Sequence, residues 1–403
     1  MSSRASEQLS SERKRQENRK KLIPIVRGLF FCGKQGIPLR GKTDSGRIDI
    51  TPDSEQPLQN DDNFRALLRY AAESGDKDLS EHLATSRRNA FHTSPQIQNE
   101  IIGICGEIIQ HKIINGVKEA KFFAILADET TDIGRMEQVS LCLRYVDAKD
   151  VKHHKVKEMF LEFIPTVDMT GSGLANLIIT ALKNHGLECC HMVGQGYDGA
   201  AAMSGYLQGA QAYIRQECPL ALYVHCSAHS LNLSIADSCS EKDVRNCIGI
   251  VQSVGSYFRH SAQRTAILKD KIRELMPTDH QKSLLAMCET RWVYKHEAVI
   301  RFMEICSAIV NALEELQSSR NKETAEQTLQ MVNTLRSSNF FMCLVIIQKV
   351  MSYTLPLSKQ LQSSNTDLIT ALNHVDNIIN ALQLLRRNVD KEFLHLYEAV
   401  SVA

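Results

Sequence analysis

Residues 122–132 have the sequence Phe-Phe-Ala-Ile-Leu-Ala-Asp-Glu-Thr-Thr-Asp, in which a short apolar run comes directly before Asp128. Such a run, bounded by polar residues, is typical of a buried strand. A second apolar segment precedes Asp198 in a glycine-rich loop. Open α/β sheets place their ligands outside the carboxyl ends of their strands. We therefore expect each carboxylate at the C-terminal end of a strand, where the pair can share divalent metal ions with a third ligand.

The segments that follow Asp128 switch between strand and helix patterns. The alternating residues 138–146 and the segment 156–164 predict two more strands before the next helix. The later elements are a helix from Thr170 to Gly186, a strand at 190–193, a helix at 208–216, a strand at 221–225 and a helix at 227–238. The order of three strands, helix, strand, helix, strand, helix predicts an α/β fold with a ribonuclease-H-like mixed sheet.

A long helix is expected immediately before this core. Ser94 is a suitable N-cap and Pro95 suits the first helical position. Four isoleucines repeat along one face and are expected to pack on the sheet: Ile97, Ile101, Ile104 and Ile108.

Beyond residue 240 the apolar spacing is helical almost throughout, with predicted helices at 268–276, 296–316, 324–335, 340–353 and 367–397. The sequence therefore predicts four parts. These are a basic, partly disordered N-terminal region (1–60), a helical lead-in (61–120), a ribonuclease-H-like core (121–240) and an all-helical domain (241–403).

Composition limits the function classes. The chain has 403 residues, 43% of them hydrophobic, and a formal charge of +1. No uninterrupted apolar run approaches the about 18 residues of a membrane span, and the amino terminus is polar and basic, so we expect neither secretion nor membrane insertion. The 12 cysteines include no Cys-x-x-Cys pair, which favours reduced, intracellular thiols.

A group of basic residues near the amino terminus has two interpretations. A nuclear-import signal or a phosphate-contacting arm fits such a group, and so does the solvated start of a helix. The group consists of Arg13, Lys14, Arg15, Arg19, Lys20 and Lys21.

Six motifs in a fixed order resemble a known family. They occupy residues 33–41, 93–100, 125–132, 194–200, 225–233 and 289–292. In this order they are similar to the transposase-like domain of proteins derived from hAT-superfamily DNA transposons. That family includes the zinc-finger MYM-type proteins and the repressor of the protein-kinase inhibitor.

The resemblance implies a ribonuclease-H-like core interrupted by a helical insertion after its fifth strand. Active relatives bind two Mg²⁺ ions with an Asp, Asp, Glu triad and cut DNA phosphodiesters. Asp128 and Asp198 match the first two positions, so they are the expected catalytic and Mg²⁺-binding residues. The third position lies beyond the insertion, in a segment that also carries the dimerisation region. No match to that segment precedes Ala403, which predicts a truncated and catalytically incomplete chain.

The resemblance also assigns roles to residues outside the triad. Arg291 and Trp292 match a pair that stacks on a displaced base near the cleavage site, although a helix-packing anchor is an equal alternative for Trp292. Cys226 and His229 are expected to form a structural corner, with a cysteine–histidine nucleophile as the alternative. Together with Cys218 they lack the spacing of a zinc finger. Asp132 and Glu129 are expected to stabilise a turn.

Three functions remain open from the sequence. The first is a nuclear, transposon-derived protein that is catalytically incomplete and binds DNA or a protein. The second is an active Mg²⁺-dependent transposase or nuclease in which Glu289 or Glu297 replaces the third ligand. The third is an interaction scaffold built from the helices between residues 321 and 397.

Overall fold

The structure is a computed structural model that describes most of the chain. The described residues are 2–41, 46–50, 61–86, 90–147, 155–279, 283–285, 292–318, 322–363 and 366–402. The chain divides into two compact units. The first unit comprises residues 1–124, 140–163 and 181–191, and the second comprises residues 125–139, 164–180 and 192–403.

Five strands form a single mixed sheet. They are β1 (Phe123–Thr131), β2 (Glu137–Val146), β3 (Val156–Pro165), β4 (Met192–Tyr197) and β5 (Leu222–His225). The strand order is β3-β2-β1-β4-β5. β4 and β5 are parallel, with Gly194 opposite Leu222 and Tyr197 opposite His225. This order confirms the predicted ribonuclease-H-like α/β class.

Two strand boundaries differ from the prediction at the places where the motif aspartates lie. β1 continues to Thr131, so Asp128 lies within the strand and does not follow it. Thr131 Oγ1 donates a hydrogen bond to the Glu137 carboxylate at 3.0 Å, which links the end of β1 to the start of β2. β4 begins at Met192 and includes the glycines that were expected in a loop, so only Asp198 follows its strand directly.

The described residues of the first unit form four helices ahead of the sheet. They are α1 (Ser2–Lys34), α2 (Asn63–Glu73), α3 (Lys77–Thr85) and α4 (Pro95–Ala120). Asp62 and Asp76 cap α2 and α3 by accepting backbone N–H bonds. The helices α1, α2 and α3 pack together through one apolar core cluster, which includes Ile25, Leu29, Phe64, Leu68, Leu79 and Leu83.

The helix α4 begins as predicted but packs through a different face. The Ser94 side chain caps it, and Pro95 occupies the first turn. Ile113, Ile114 and Val117 are buried, whereas Ile104 and Ile108 are 49% and 63% exposed, so the predicted packing face is wrong. Its C-terminal half packs instead, because Gly116 leaves room for the Tyr145 hydroxyl, which lies 2.8 Å from the position of a Cβ there.

Four helices accompany the later strands. They are α5 (Gly171–Asn184), α6 (Ala201–Ser204), α7 (Ala210–Glu217) and α8 (Ser227–Ser238). A single 3-10 turn, Cys189–His191, lies between α5 and β4. The predicted helices at 208–216 and 227–238 are thereby confirmed.

The described residues after α8 form helices and their connections. The helices are α9 (Lys242–Arg259), α10 (Ala262–Leu275), α11 (Trp292–Glu304), α12 (Cys306–Gln317), α13 (Lys322–Leu335), α14 (Ser338–Leu361), α15 (Leu368–Arg387) and α16 (Val389–Val402). The prediction missed α9 and treated α11 and α12 as one helix. The break falls at Ile305, which is fully buried, so the apolar pattern runs through it.

The helix α14 is long and apolar enough to cross a membrane by length and composition. Core helices of globular proteins have the same properties. Phe340, Leu344 and Ile347 of α14 are buried in the apolar cluster of the second unit, which also includes Val254, Phe302 and Leu313. The helix therefore does not indicate a membrane protein.

A buried ion cluster stabilises the first unit. The Asp61 carboxylate accepts a bond from Arg65 Nε at 2.9 Å and from an Arg69 guanidinium nitrogen at 2.5 Å. Arg65 also donates to the backbone oxygens of Gly46 and Arg47, which ties this segment to α2. The hydrogen bond from Arg69, with that from Arg65, lowers the pKa of Asp61 to about 2.

We predict that Asp61→Asn destabilises the first unit by about 3 kcal/mol, because it leaves two buried guanidinium groups without their counter-charge. Faster hydrogen exchange of the α2 amides measures this loss. Since the folded pKa lies below the usual 3.8, the ion-pair contribution is complete above pH 3.8 and is lost as the pH falls towards 2. The exposed Glu100→Gln is the control, and equal exchange in the two variants would contradict the prediction.

Candidate acidic site at the ends of β1 and β4

The two motif aspartates belong to neighbouring strands of the second unit. A Cβ at Gly196 of β4 would lie 2.8 Å from Leu126 Cδ2 of β1, so the absent side chain allows close packing here. Because side chains alternate along a strand, Asp128 shares the face of Leu126. Asp198 follows directly after the last residue of β4. The sheet therefore brings the two aspartates to the ends of neighbouring strands.

Glu129 is a third carboxylate close to this pair. It follows Asp128 in β1, so the strand directs it to the opposite face. Its Oε1 atom is buried and has no hydrogen-bond partner. Burial raises the pKa of Glu129, and the negative charges of Asp198, Asp128 and Glu137 raise it further. The site is thus electronegative, and the charge of Glu129 is poorly compensated.

The backbone around Asp198 is held by short-range hydrogen bonds. Asp198 Oδ1 accepts from the Ala200 amide at 3.0 Å and so caps the turn. The Tyr223 hydroxyl donates to the Asp198 carbonyl at 3.3 Å. Ser204 donates to the Gly199 carbonyl at 3.1 Å. These contacts fix the turn between β4 and α6.

A histidine pair borders the same turn. A Cβ at Gly199 would lie 2.8 Å from His225 Nε2 and 3.2 Å from His229 Cδ2, so only glycine fits without movement of the rings. The two rings stack with centroids 5.9 Å apart. His225 Nε2 is buried without a hydrogen-bond partner. The Cys226 amide donates to the Tyr197 carbonyl at 2.9 Å, so this cysteine joins α8 to the sheet through its backbone.

The remaining predicted site residues lie in or near α11. Arg291 and Glu289 fall outside the described residues, and Trp292 is the first residue of α11, with a side chain that is not described. Glu297 forms an ion pair with Lys359 at 3.4 Å. The roles of Arg291 and Trp292 in nucleic-acid binding therefore stay predictions.

A magnesium centre requires oxygen ligands gathered closely around the ion. Carboxylate oxygens suit Mg²⁺, and the partnerless Glu129 Oε1 is a possible ligand. Two-metal catalysis needs a closely gathered set of oxygens. Among the residues the structure describes, the set of three acidic, histidine or cysteine donors within 4.8 Å of one another is Glu188, Cys190 and His191, which includes neither aspartate. Neither motif aspartate therefore belongs to a ready three-donor set among the described residues.

Sequence reasoning missed two features of these surroundings. It assigned Glu129 to a turn because it ended β1 too early, although the β-branched Thr130 and Thr131 favour a longer strand. It also passed over the run Glu-Cys-Cys-His at residues 188–191, because it searched for paired ligands at zinc-finger spacing.

The comparison with protein families identifies the class. The chain belongs to the family described as DUF4371: ZMYM1/FAM200, RNase-like domain, whose model matches residues 2–209. This confirms the family resemblance.

Two individual proteins are similar to this chain over most of its length. Over 387 residues the chain is 26% identical to the "52 kDa repressor of the inhibitor of the protein kinase" of Homo sapiens, covering 93% of this chain and 48% of that protein. The protein of the same name from Mus musculus is 25% identical over 381 residues, covering 93% of this chain and 49% of the relative. The chain thus spans about half the length of the curated relatives it matches.

We predict that Glu129→Gln raises the thermal unfolding midpoint at pH 7, because it removes a buried charge surrounded by other carboxylates. The pKa of Glu129 is raised in the folded protein above its usual value of 4.5. The ionised carboxylate therefore destabilises the wild-type fold above pH 4.5, and this destabilisation disappears as the pH falls below 4.5. The midpoints of the two proteins should therefore converge near pH 4. The exposed Glu107→Gln is the control, and a lower midpoint for Glu129→Gln at pH 7 would refute this explanation.

Proposed function

We propose that this chain is a transposon-derived, nuclear protein that binds nucleic acid and does not cut it. The observation that carries the proposal is the acidic site itself. It retains the two motif aspartates on neighbouring strands, yet among the described residues neither aspartate belongs to a set of three donors within 4.8 Å of one another. Family membership and the ribonuclease-H-like sheet support the ancestry.

The geometry of Glu129 supports the absence of cleavage. A substitute third ligand must approach the same ions as Asp128 and Asp198. Adjacent residues of a strand point to opposite faces, so β1 directs Glu129 away from Asp128. Glu297, another candidate, is paired with Lys359. The chain therefore keeps the positions of the site without a converging set of oxygens.

The amino-terminal half of α1 is the proposed nucleic-acid interface. All residues from 11 to 20 are exposed, including Arg13, Lys14, Arg15, Arg19 and Lys20. The C-terminal half is anchored, because Ile25 and Leu29 are buried in the first unit. Like charges four apart, such as Arg15 and Arg19, destabilise a helix, and bound phosphates would relieve this repulsion.

The names of the relatives agree with a regulatory role. Both are called repressors, and a repressor acts by binding a target. We extend only this general mode of action to the chain. A nuclear location follows from the same reasoning and from the basic segment.

A second candidate function is protein interaction through the last two helices. Leu368 and Ile369 of α15 are 74% and 73% exposed. The exposed apolar residues of this region also include Leu372, Leu384, Val389, Phe393 and Tyr397. If this surface binds a partner, replacing Leu368 and Leu372 by glutamate should abolish the complex. A complex that sediments unchanged with this double variant would reject the second candidate function.

We predict that the purified chain shows no cleavage of a DNA hairpin with Mg²⁺ or Mn²⁺ beyond that of Asp128→Ala. The reason is that neither aspartate belongs to a gathered set of three donors among the described residues. Gel analysis of the labelled hairpin measures this. Cleavage by the wild type that disappears in Asp128→Ala would overturn the proposal.

We predict that replacing Arg13, Lys14 and Arg15 by glutamine weakens binding to duplex DNA irrespective of its sequence. The slope of log affinity against log salt concentration should decrease by about 2 to 3, because each neutralised phosphate contributes about 0.9. Fluorescence anisotropy at several salt concentrations provides the measurement. Replacing the exposed Arg386, Arg387 and Lys391 by glutamine is the matched control. Equal slopes in the two triple variants would contradict the assignment to α1.

A further inference from the structure

A compact group of mixed ligand types lies in the turn before β4. The donor atoms of Glu188, Cys190 and His191 all lie within 4.8 Å of one another. Cys190 Sγ is 3.4 Å from Glu188 Oε2, and His191 Nδ1 is 3.7 Å from the same oxygen. The side chains of Glu188 and Cys190 are exposed, and that of His191 is partly exposed.

The backbone explains why these three side chains converge. The His191 amide donates to the Glu188 carbonyl at 3.0 Å and closes a single 3-10 turn. Side chains three residues apart lie above one another in such a turn, which brings Glu188 and His191 to the same side. The His191 ring also packs edge-on against Phe122, with an interplanar angle of 81°, and this contact limits its rotation.

We propose that Glu188, Cys190 and His191 form a zinc-binding site in which water completes a tetrahedron. Zinc ligands lie about 2.0 to 2.3 Å from the ion, so tetrahedral donors are about 3.3 to 3.8 Å apart. The distances from Glu188 Oε2 to Cys190 Sγ and to His191 Nδ1, 3.4 Å and 3.7 Å, fall in this range. Small side-chain rotations are enough to enclose the ion, and the exposed position leaves the fourth corner to water.

The donor set selects the type of metal. One nitrogen, one sulfur and one oxygen suit Zn²⁺, whereas Mg²⁺ and Ca²⁺ require oxygen ligands. Binding removes the thiol proton of Cys190 and leaves a thiolate, while His191 coordinates as neutral imidazole. The thiolate and the Glu188 carboxylate together supply two negative charges against the two positive charges of the ion.

The site is separate from the acidic site. The six residues of β4 separate it along the chain from Asp198, and it shares no donor with the aspartate pair. It does not depend on the proposed function. The group is also more than a lone thiol, because an imidazole and a carboxylate are already placed beside it. Cys189, the neighbour in the same turn, is not part of the donor set and provides a matched control.

The test uses the full reduced chain and Co²⁺ as a spectroscopic probe. Wild type should develop a thiolate-to-cobalt charge-transfer band in the near ultraviolet, and Zn²⁺ should displace it. Cys190→Ser should lose the band. His191→Gln should lose the tetrahedral ligand-field bands in the visible range, and Cys189→Ser should retain both sets. Circular dichroism verifies that each variant is folded.

Stoichiometry separates this site from the other cysteines of the chain. Zinc retained after gel filtration should decrease by one equivalent in Cys190→Ser and in Glu188→Gln, which changes only an exposed carboxylate. The same zinc content in wild type and Cys190→Ser would overturn the proposal. So would a wild-type protein that retains no zinc, or a band that is lost in Cys189→Ser and retained in Cys190→Ser.

Discussion

The close packing of Gly196 against Leu126 is the contact on which the acidic site depends. A side chain at residue 196 would collide with Leu126, and its absence allows β4 to pack against β1. The parallel pairing with β5 then sets Tyr197 opposite His225. The sheet thereby positions Asp198 and His225 at the ends of their strands. Hydrogen bonds from Tyr223 and Ser204 fix the turn that follows.

The sheet places the carboxylates near the ends of β1 and β4, but this placement alone does not provide a metal site. Several negative charges lie near the ends of β1 and β4, and burial with repulsion raises the pKa of Glu129. Such a group costs stability, so the remainder of the sheet must hold it in place. An active two-metal site would offset the repulsion with its cations. Among the described residues neither motif aspartate belongs to a gathered set of three donors, which supports the proposal of a core retained as a scaffold for binding.

The sequence was sufficient for the fold class because periodicity and end signals are local. The succession of strands and helices in the core, the start of α4 after Ser94 and the bounds of α8 all follow from such patterns. The packing face of α4 and the break between α11 and α12 depend on long-range packing, which local patterns do not contain. The isoleucine face of α4 is mostly exposed because Gly116 and Tyr145 make a closer contact elsewhere on the helix. The buried Ile305 hides the break between α11 and α12, since its apolar character continues the helical pattern.

The candidate site was predictable only in part for the same reason. Motif order identified Asp128 and Asp198, but the burial of Glu129 Oε1 depends on neighbours distant in sequence. The zinc ligands were missed although they are adjacent in sequence, because a single 3-10 turn brings them together without the usual paired spacing. Residues 286–291 lie outside the described part of the chain, so the role of Arg291 remains a prediction from the motif.

The most direct test of the central claim is electron paramagnetic resonance of the chain titrated with Mn²⁺, an ion that can replace Mg²⁺ at oxygen-ligand sites. If the aspartate pair no longer gathers a two-metal centre, the spectra should contain no signal from two exchange-coupled ions at any ratio of metal to protein. A coupled two-ion spectrum that disappears in Asp128→Asn would contradict the account.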